Sequence, residues 1–231
     1  MTAAATAVQA PIRPPLFVRP LGRCAYGDAM ALQESVVAGV IAGTEREQLL
    51  LLEHPPLYTL GRGGDADDLR DAPHRLGIPA HRVGRGGGAT FHGPGQLVAY
   101  PIVRLRRGSV DVRGYVSALE QALIETCEAY GLAATAPAGQ VGVWVRGAKI
   151  ASIGIGVRRG ITFHGVALNV STDLQYFEQI VACRVPELTL TSMAAELEGG
   201  APALPEVGAV LARALGRQLG RELEGAEAPW P

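Results

Sequence analysis

The run from Val141 to Val170 constrains the fold more than any other stretch of the chain. It reads as three apolar, β-branched strands in succession: Val141 to Val145, Lys149 to Val157 and Ile161 to Val170. Arg158-Arg159-Gly160 joins the last two with a hairpin signal. A doubly wound parallel sheet needs a helix after each strand, so the run points to mixed sheets instead.

The flanking pattern agrees. Leu16 to Pro20 reads as a short strand, and Ala25 to Ala42 as a helix with Ala29, Leu32, Val36 and Val40 on one face. Gln48 to Glu53 is a buried strand, stopped by His54-Pro55-Pro56 because proline cannot continue a ladder. Leu57 to Leu60 is a second extended piece. Residues 61–80 read as a Gly-rich loop with a short helix, and Gly95 to Leu105 as a strand. Ser109 or Asp111 caps a long helix reaching Tyr130, with Gly131 in the C′ position. Thr191 is placed to cap a helix to Glu198, and Glu206 to Glu222 is a final amphipathic helix. The expectation is one α+β (α/β) domain over residues 16–231, with mixed β-sheets flanked by helices. A frayed, disordered Ala/Thr/Pro-rich tail is expected over residues 1–15.

Composition removes several function classes. A net charge of −1 over 231 residues argues against a nucleic-acid binder driven by phosphate neutralisation. No apolar run approaches a membrane span, and no secretory signal is legible, so the chain is expected to be cytoplasmic. Three cysteines without CxxC spacing make no disulfide framework.

Lys149 is the only lysine among 21 basic residues; the other 20 are arginines. A GC-rich genome explains why lysine is scarce, but not why one remains. Arginine stays protonated, whereas a lysine amine can surrender its proton, so a lone lysine opening an apolar run is a candidate for proton transfer. The densest local signal is Arg85-Gly86-Gly87-Gly88-Ala89-Thr90-Phe91-His92-Gly93-Pro94-Gly95-Gln96. Glycines let backbone amides approach a ligand. A Walker A loop is excluded because no Gly-Lys-Ser/Thr follows, and a Rossmann fingerprint fits poorly because no helix follows. The tetrapeptide Thr-Phe-His-Gly occurs at Thr90 and again at Thr162. Each histidine alone reads more readily as core than as ligand; two in matching contexts suggest a shared site.

Of the cysteines, Cys127 falls on the apolar face of its helix and Cys24 has no basic neighbour at helical spacing. Cys183 stands in the segment leaving the last strand, beside Arg184. A zinc site from Cys183, His92 and His164 has no supporting spacing. Cysteine plus lysine suits acyl transfer, the amine taking the thiol proton and backbone amides holding the oxyanion.

These residues resemble the octanoyltransferases of lipoate biosynthesis, the lipoyl(octanoyl) transferase or lipoate–protein ligase B family. The likeness spans Leu16 to Glu198. It rests on His54-Pro55-Pro56-Leu57-Tyr58-Thr59-Leu60-Gly61-Arg62, on Arg85 to Gln96, and on Lys149 to Gly154 with Phe163-His164-Gly165. The resemblance implies the α/β domain of lipoate ligases and biotin ligases. It implies Lys149 and Cys183 as the catalytic pair. Acyl binding would fall to Arg85, Gly86, Gly87, Gly88, Ala89, Thr90, Phe91 and His92, to Ser152, Ile153 and Gly154, and to Gly165, Val166 and Ala167. The family usually has proline before and glycine after the nucleophile, where this chain has Ala182 and Arg184.

The implied reaction moves octanoate from the phosphopantetheine thioester of acyl carrier protein to Cys183. It then moves to a lysine on a lipoyl domain of a 2-oxoacid dehydrogenase complex or on glycine-cleavage H protein. No cofactor, metal, nucleic acid or membrane is implied, and a monomer is expected. An apolar tunnel, closed at one end, is expected between the segments carrying Arg85 to His92 and Lys149 to Gly156. Arg104, Arg106, Arg107, Arg158 and Arg159 are candidates for docking the acidic carriers, or simply a solvated face. Rival readings are an ATP-dependent lipoate or biotin ligase, a Cys-His hydrolase using His92 or His164, and a carrier-binding scaffold without activity.

Overall fold

The computed structural model describes residues 13–105, 111–183, 185 and 188–231. The chain runs β1 (Leu16–Arg23), α1 (Tyr26–Ala42), β2 (Gln48–Glu53), β3 (Leu57–Leu60), a 3₁₀ turn (Ala66–Leu69), α2 (Ala72–Leu76), β4 (Ala80–Arg82), β5 (Ala89–His92) and β6 (Gln96–Ile102). It continues with α3 (Val112–Glu128), β7 (Ala134–Thr135), β8 (Val143–Val145), β9 (Ala148–Arg158), β10 (Ile161–Asn169), α4 (Gln175–Glu178), α5 (Met193–Glu196), α6 (Leu204–Leu219) and β11 (Leu223–Glu224).

The strands form a large sheet in the order β11-β1-β2-β6-β10-β9-β8-β7 and a small one in the order β4-β3-β5. β1 pairs parallel to both β2 and β11, and the rest of the large sheet is antiparallel. The mixed α/β architecture read from the hairpin-linked strands is therefore present.

Strand β2 is buried at every position because both faces of the large sheet are covered. Leu49 and Leu51 point to one face, where they join α3 and α6 through Leu119, Leu123, Leu211 and Leu215. Leu50 and Leu52 point to the other and meet Val36, Val37 and Val40 of α1. The small sheet has its own core, in which Tyr58, Leu60, Ala89 and Phe91 pack on Phe177 and Ile180. Cys127 is fully buried on the α3 side.

Several boundaries differ from the sequence reading. Part of the Gly-rich segment, Ala89–His92, is a strand, paired antiparallel with β3. Asp111 caps α3 by accepting from the Gly114 N–H at 2.7 Å; Ser109 lies outside the described residues. Ser192, not Thr191, caps α5, and Thr191 Oγ1 donates to Glu196 Oε1 instead. That helix stops at Glu196 because Leu197 turns extended and packs on the core. The last helix begins at Leu204 and ends at Gly220, whose φ of 61° lies in the left-handed region. Of the tail expected over residues 1–15, residues 1–12 lie outside the described residues. Arg13 and Pro14 are anchored: Arg13 Nη1 donates to Leu219 O, and Pro14 O accepts from Arg221 Nη1, each at 2.8 Å.

Arg221 also forms a buried ion pair, its Nη2 lying 2.5 Å from Glu47 Oε2, with side chains 3% and 8% exposed. This pair fastens the C-terminal segment to the start of β2. Glu47→Gln or Arg221→Met alone should lower the unfolding free energy by about 3–5 kcal/mol, because one buried charge loses its partner. Glu47→Leu with Arg221→Met should regain most of the loss. Urea titrations of the three variants check this; single variants as stable as wild type would refute it.

Candidate active site

The small sheet and α1 cover the same face of the large sheet, and a cavity remains between them. Register fixes its floor. Ser152, Ala167 and Val98 stand opposite one another on β9, β10 and β6, and Gly154 opposes Gly165 in the next row. These small side chains leave a narrow cavity of about 50 Å³. Ala89, Thr90 and His92 of β5 form the roof, and Tyr26, Tyr100 and His164 also line the cavity. Gly154 must lack a side chain, since a Cβ there would lie 2.9 Å from Arg85 Cδ.

The glycine loop before β5 is held by its backbone. Gly61, Arg62 and Gly63 donate to the carbonyls of Gly88, Arg85 and Gly87 at 3.0–3.2 Å, and Gly86 donates to Ile155 O at 2.9 Å. This explains why the segment ending at Arg62 accompanies the glycine motif: one clamps the other. Arg85 is buried and has no carboxylate partner among the described residues. Its guanidinium donates instead to Thr59 O and Oγ1, Gly86 O and Gly88 O, and so acts as a strut inside the loop. Burial pulls its pKa below the usual value.

A polar network behind the roof assigns its own protons. Gln96 Nε2 donates to Phe91 O and Asn169 Oδ1, which leaves Gln96 Oε1 to accept from His92 Nδ1 at 2.7 Å. His92 Nε2 then has a lone pair for the Thr59 hydroxyl, 3.4 Å away. His54 Nδ1 lies 2.7 Å from Cys24 O and must donate, so its Nε2 accepts from Tyr100 OH at 2.9 Å. Burial holds all three interior imidazoles neutral: His54 is pushed down to about 4, His92 to about 3 and His164 to about 4. Arg85 adds repulsion at His92 and His164.

Cys183 and Lys149 meet beside the cavity. Lys149 is 4% exposed, and its Nζ lies 3.4 Å from Cys183 Sγ. The same nitrogen donates to Val141 O at 2.9 Å and sits 5.0 Å from the Trp144 ring centroid. Gly142 makes room for it: a Cβ there would fall 2.6 Å from Lys149 Cε. Glu120 Oε1 accepts from the Gly142 N–H at 3.1 Å and holds this turn to α3. The Lys149 main chain is bracketed by Thr189 O and Thr191 N. Cys183 has φ 55°, a left-handed conformation uncommon for a side-chain-bearing residue and frequent at functional sites. A second space, about 440 Å³, adjoins the pair and is bounded by Gln140, Val141, Trp144, Val185 and Leu188. Cys183 lines both spaces.

Residues 25–216 match the model of the lipoyl protein ligase A/B catalytic domain. Octanoyltransferases from Geobacter metallireducens and Solibacter usitatus are similar over most of their length. The first is 46% identical over 182 residues, covering 79% of this chain and 84% of the relative. The second is 48% identical over 194 residues, covering 83% and 87%. The chain belongs to the octanoyltransferases of this family. Among solved structures, lipoate-protein ligase A bound with ATP superposes with a TM-score of 0.73 at 17% identity, covering 92% of this chain and 88% of that one. Apo biotin protein ligase from Aquifex aeolicus gives 0.50 at 11% identity, covering 90% and 70%. These two show the shared fold.

Most of the residues that the family resemblance assigned to acyl binding line the cavity: Arg85, Gly87 to Thr90, His92, Ser152 to Gly154, and Gly165 to Ala167. Gly86 and Phe91 do not. Gly86 spends its amide on β9, and Phe91 turns into the small sheet's core, stacked 4.5 Å from Tyr176. The two Thr-Phe-His-Gly copies do bring His92 and His164 to one cavity. Their threonines diverge: Thr90 lines the cavity, whereas Thr162 donates to Pro101 O. Sequence reasoning missed Tyr26, Val98 and Tyr100, whose only signal was placement in a helix start and an apolar strand. It also missed Gly142 and Glu120.

Among the described residues no group of three or more His, Cys, Asp or Glu is disposed to hold a metal, and no helix is long and apolar enough to cross a membrane. Of the arginines expected to dock carriers, Arg106 and Arg107 lie outside the described residues. Arg104 bonds to Val40 O, and Arg158 lies over Phe163 at the far end of β9, about 30 Å along the strand from Lys149.

Two outcomes follow from this geometry. The unfolded chain binds protons at its histidines near pH 6.5, whereas the folded chain refuses them until about pH 4 or below. Stability should therefore be unaffected by these groups above pH 7 and fall as pH drops from 6.5 towards 4. Thermal melts across that window check it, and His92→Gln should flatten the slope. Gly142→Ala should displace Lys149 and slow alkylation of Cys183 by iodoacetamide about tenfold or more. Peptide mapping at pH 7.5 measures this; an unchanged rate would show that the lysine does not depend on Gly142.

Proposed function

We propose that Cys183 carries an octanoyl group as a thioester between two half-reactions, with Lys149 moving the protons. The observation that carries this reading is the 3.4 Å contact between Lys149 Nζ and Cys183 Sγ, where the inner cavity meets the outer groove. The donor is the phosphopantetheine thioester of an acyl carrier protein. The acceptor is the ε-amine of a lysine on a lipoyl domain or on glycine-cleavage H protein.

In the first half, Lys149 takes the thiol proton and the Cys183 thiolate attacks the thioester carbonyl. The Lys149 ammonium then protonates the departing pantetheine thiol. The new Cys183 thioester is near in energy to the old one. In the second half, the acceptor amine attacks that thioester, Lys149 removes the amine proton and Cys183 leaves. Thioester to amide is downhill, so the transfer needs no nucleotide. The cavity floored by Ser152, Gly154, Gly165 and Ala167 receives the acyl chain, and the groove beside Trp144 receives the arm of each partner.

Support for Lys149 as the base comes from its neighbours. His92 is tied to Gln96 and Thr59, which disfavours a Cys-His hydrolase built on it. Trp144 favours the ammonium that forms in each half-reaction. The ATP-dependent ligase reading leaves Cys183 without a role, although that chemistry occurs on this fold in a lipoate-protein ligase A bound with ATP.

Mixing the enzyme with octanoyl-acyl carrier protein, without acceptor, should give a hydroxylamine-labile octanoyl adduct in intact-protein mass spectrometry. Cys183→Ala should abolish it. Lys149→Ala should slow its formation about 10²–10⁴-fold, and Lys149→Arg should not restore the rate, because a guanidinium keeps its proton. Product amide formed at the wild-type rate by Cys183→Ala, or only with ATP and free octanoate, would overturn the proposal.

A further inference from the structure

The geometry points to the Thr90 hydroxyl as the side-chain donor that orients the acyl carbonyl and holds its oxyanion during attack at Cys183. This inference rests on the Cys183 thioester reading and assigns a role that the reading leaves open.

The nucleophile's own amide is an obvious donor for a tetrahedral oxyanion, but here it is occupied. Cys183 N–H donates to Ala89 O at 3.0 Å. The Gly86 amide is spent on Ile155 O, and the Arg85 guanidinium is bonded to Thr59, Gly86 and Gly88. The occupied Cys183 bond nevertheless places its replacement. Ala89 and Ala182 form an isolated parallel bridge, so the next residues on each side, Thr90 and Cys183, are lateral neighbours. Both line the same cavity.

Thr90 is 95% buried by its 5% exposure, and its Oγ1 has no hydrogen-bond partner. A buried hydroxyl without a partner is unfavourable and marks a place where a ligand atom is missing. Thr59, its cross-strand neighbour, and His92, on the same face, are both satisfied within the protein. The methylenes of an octanoyl chain cannot satisfy Thr90. The chain's one polar group is its carbonyl, and that group must sit at Cys183.

The step balances as follows. Cys183 Sγ forms a bond to the carbonyl carbon, and the C=O electron pair moves to oxygen. The Thr90 O–H donates to this oxyanion without losing its proton. When the C=O bond re-forms, the pantetheine sulfur leaves with the bonding pair and is protonated by Lys149.

Thr90→Val keeps the shape and removes the hydroxyl; Thr90→Ser keeps the hydroxyl. Single-turnover acylation by octanoyl-acyl carrier protein, followed by intact mass, should slow about 10²-fold or more in Thr90→Val, and Thr90→Ser should restore most of the rate. Alkylation of Cys183 by iodoacetamide passes through no oxyanion and should be unchanged in both variants. Wild-type acylation in Thr90→Val would overturn the inference and assign the oxyanion to the glycine-loop amides alone. Equal losses in acylation and alkylation would also overturn it, leaving Thr90 a packing role. A wild-type enzyme that forms no adduct would remove the Cys183 thioester itself, and the role of Thr90 with it.

Discussion

The site depends on main-chain hydrogen bonds that fasten the small sheet to the large one. Gly86 N to Ile155 O ties the glycine loop to β9, and Cys183 N to Ala89 O ties the segment carrying Cys183 to β5. Three further bonds clamp that loop to residues 61–63. Side-chain packing alone would let two sheets slide; directional bonds between backbones fix their spacing and register. The cavity is what remains between the sheets, with Arg85 packed over Gly154 and small residues such as Ser152, Gly165 and Ala167 in the floor. Its width is therefore a property of the backbone, which is why glycine recurs on both walls.

Charge is managed in the same spirit. The cavity wall holds the Arg85 guanidinium, bonded to carbonyls and a hydroxyl, and imidazoles that burial keeps neutral. A low-dielectric space with no free charge suits an alkyl chain, and it strengthens any dipole aimed at its mouth. Lys149 and Cys183 stand at the edge of this space. There the amine has a carbonyl, a sulfur and an aromatic face as neighbours.

Much of the candidate site was legible in the sequence because rare residues mark it. A single lysine among arginines, a cysteine leaving a strand and a run of glycines each announce themselves one position at a time. β2 and β3 were legible to the residue because proline and polar residues bound them. What stayed hidden depends on contacts between distant segments. Glu120 holding Gly142, Tyr100 donating to His54 and Gln33 Oε1 accepting the His164 N–H at 2.7 Å are pairings that no local pattern announces. Short elements such as β7, α4 and β11 were missed for the same reason, since two to four residues carry no readable period. The strand β5 was hidden inside a glycine motif that reads locally as a loop.

The two spaces meeting at Cys183 also bear on the order of events. An acyl chain lying in the inner cavity puts its carbonyl at the sulfur with its tail pointing away from the groove. On the thioester reading, the donor's arm must then leave by the groove before the acceptor's lysine can approach, because both need the same face of the same carbonyl. Lys149 lines that groove. On the same reading, one amine would serve the leaving thiol and the arriving amine in turn, and a ping-pong sequence is expected.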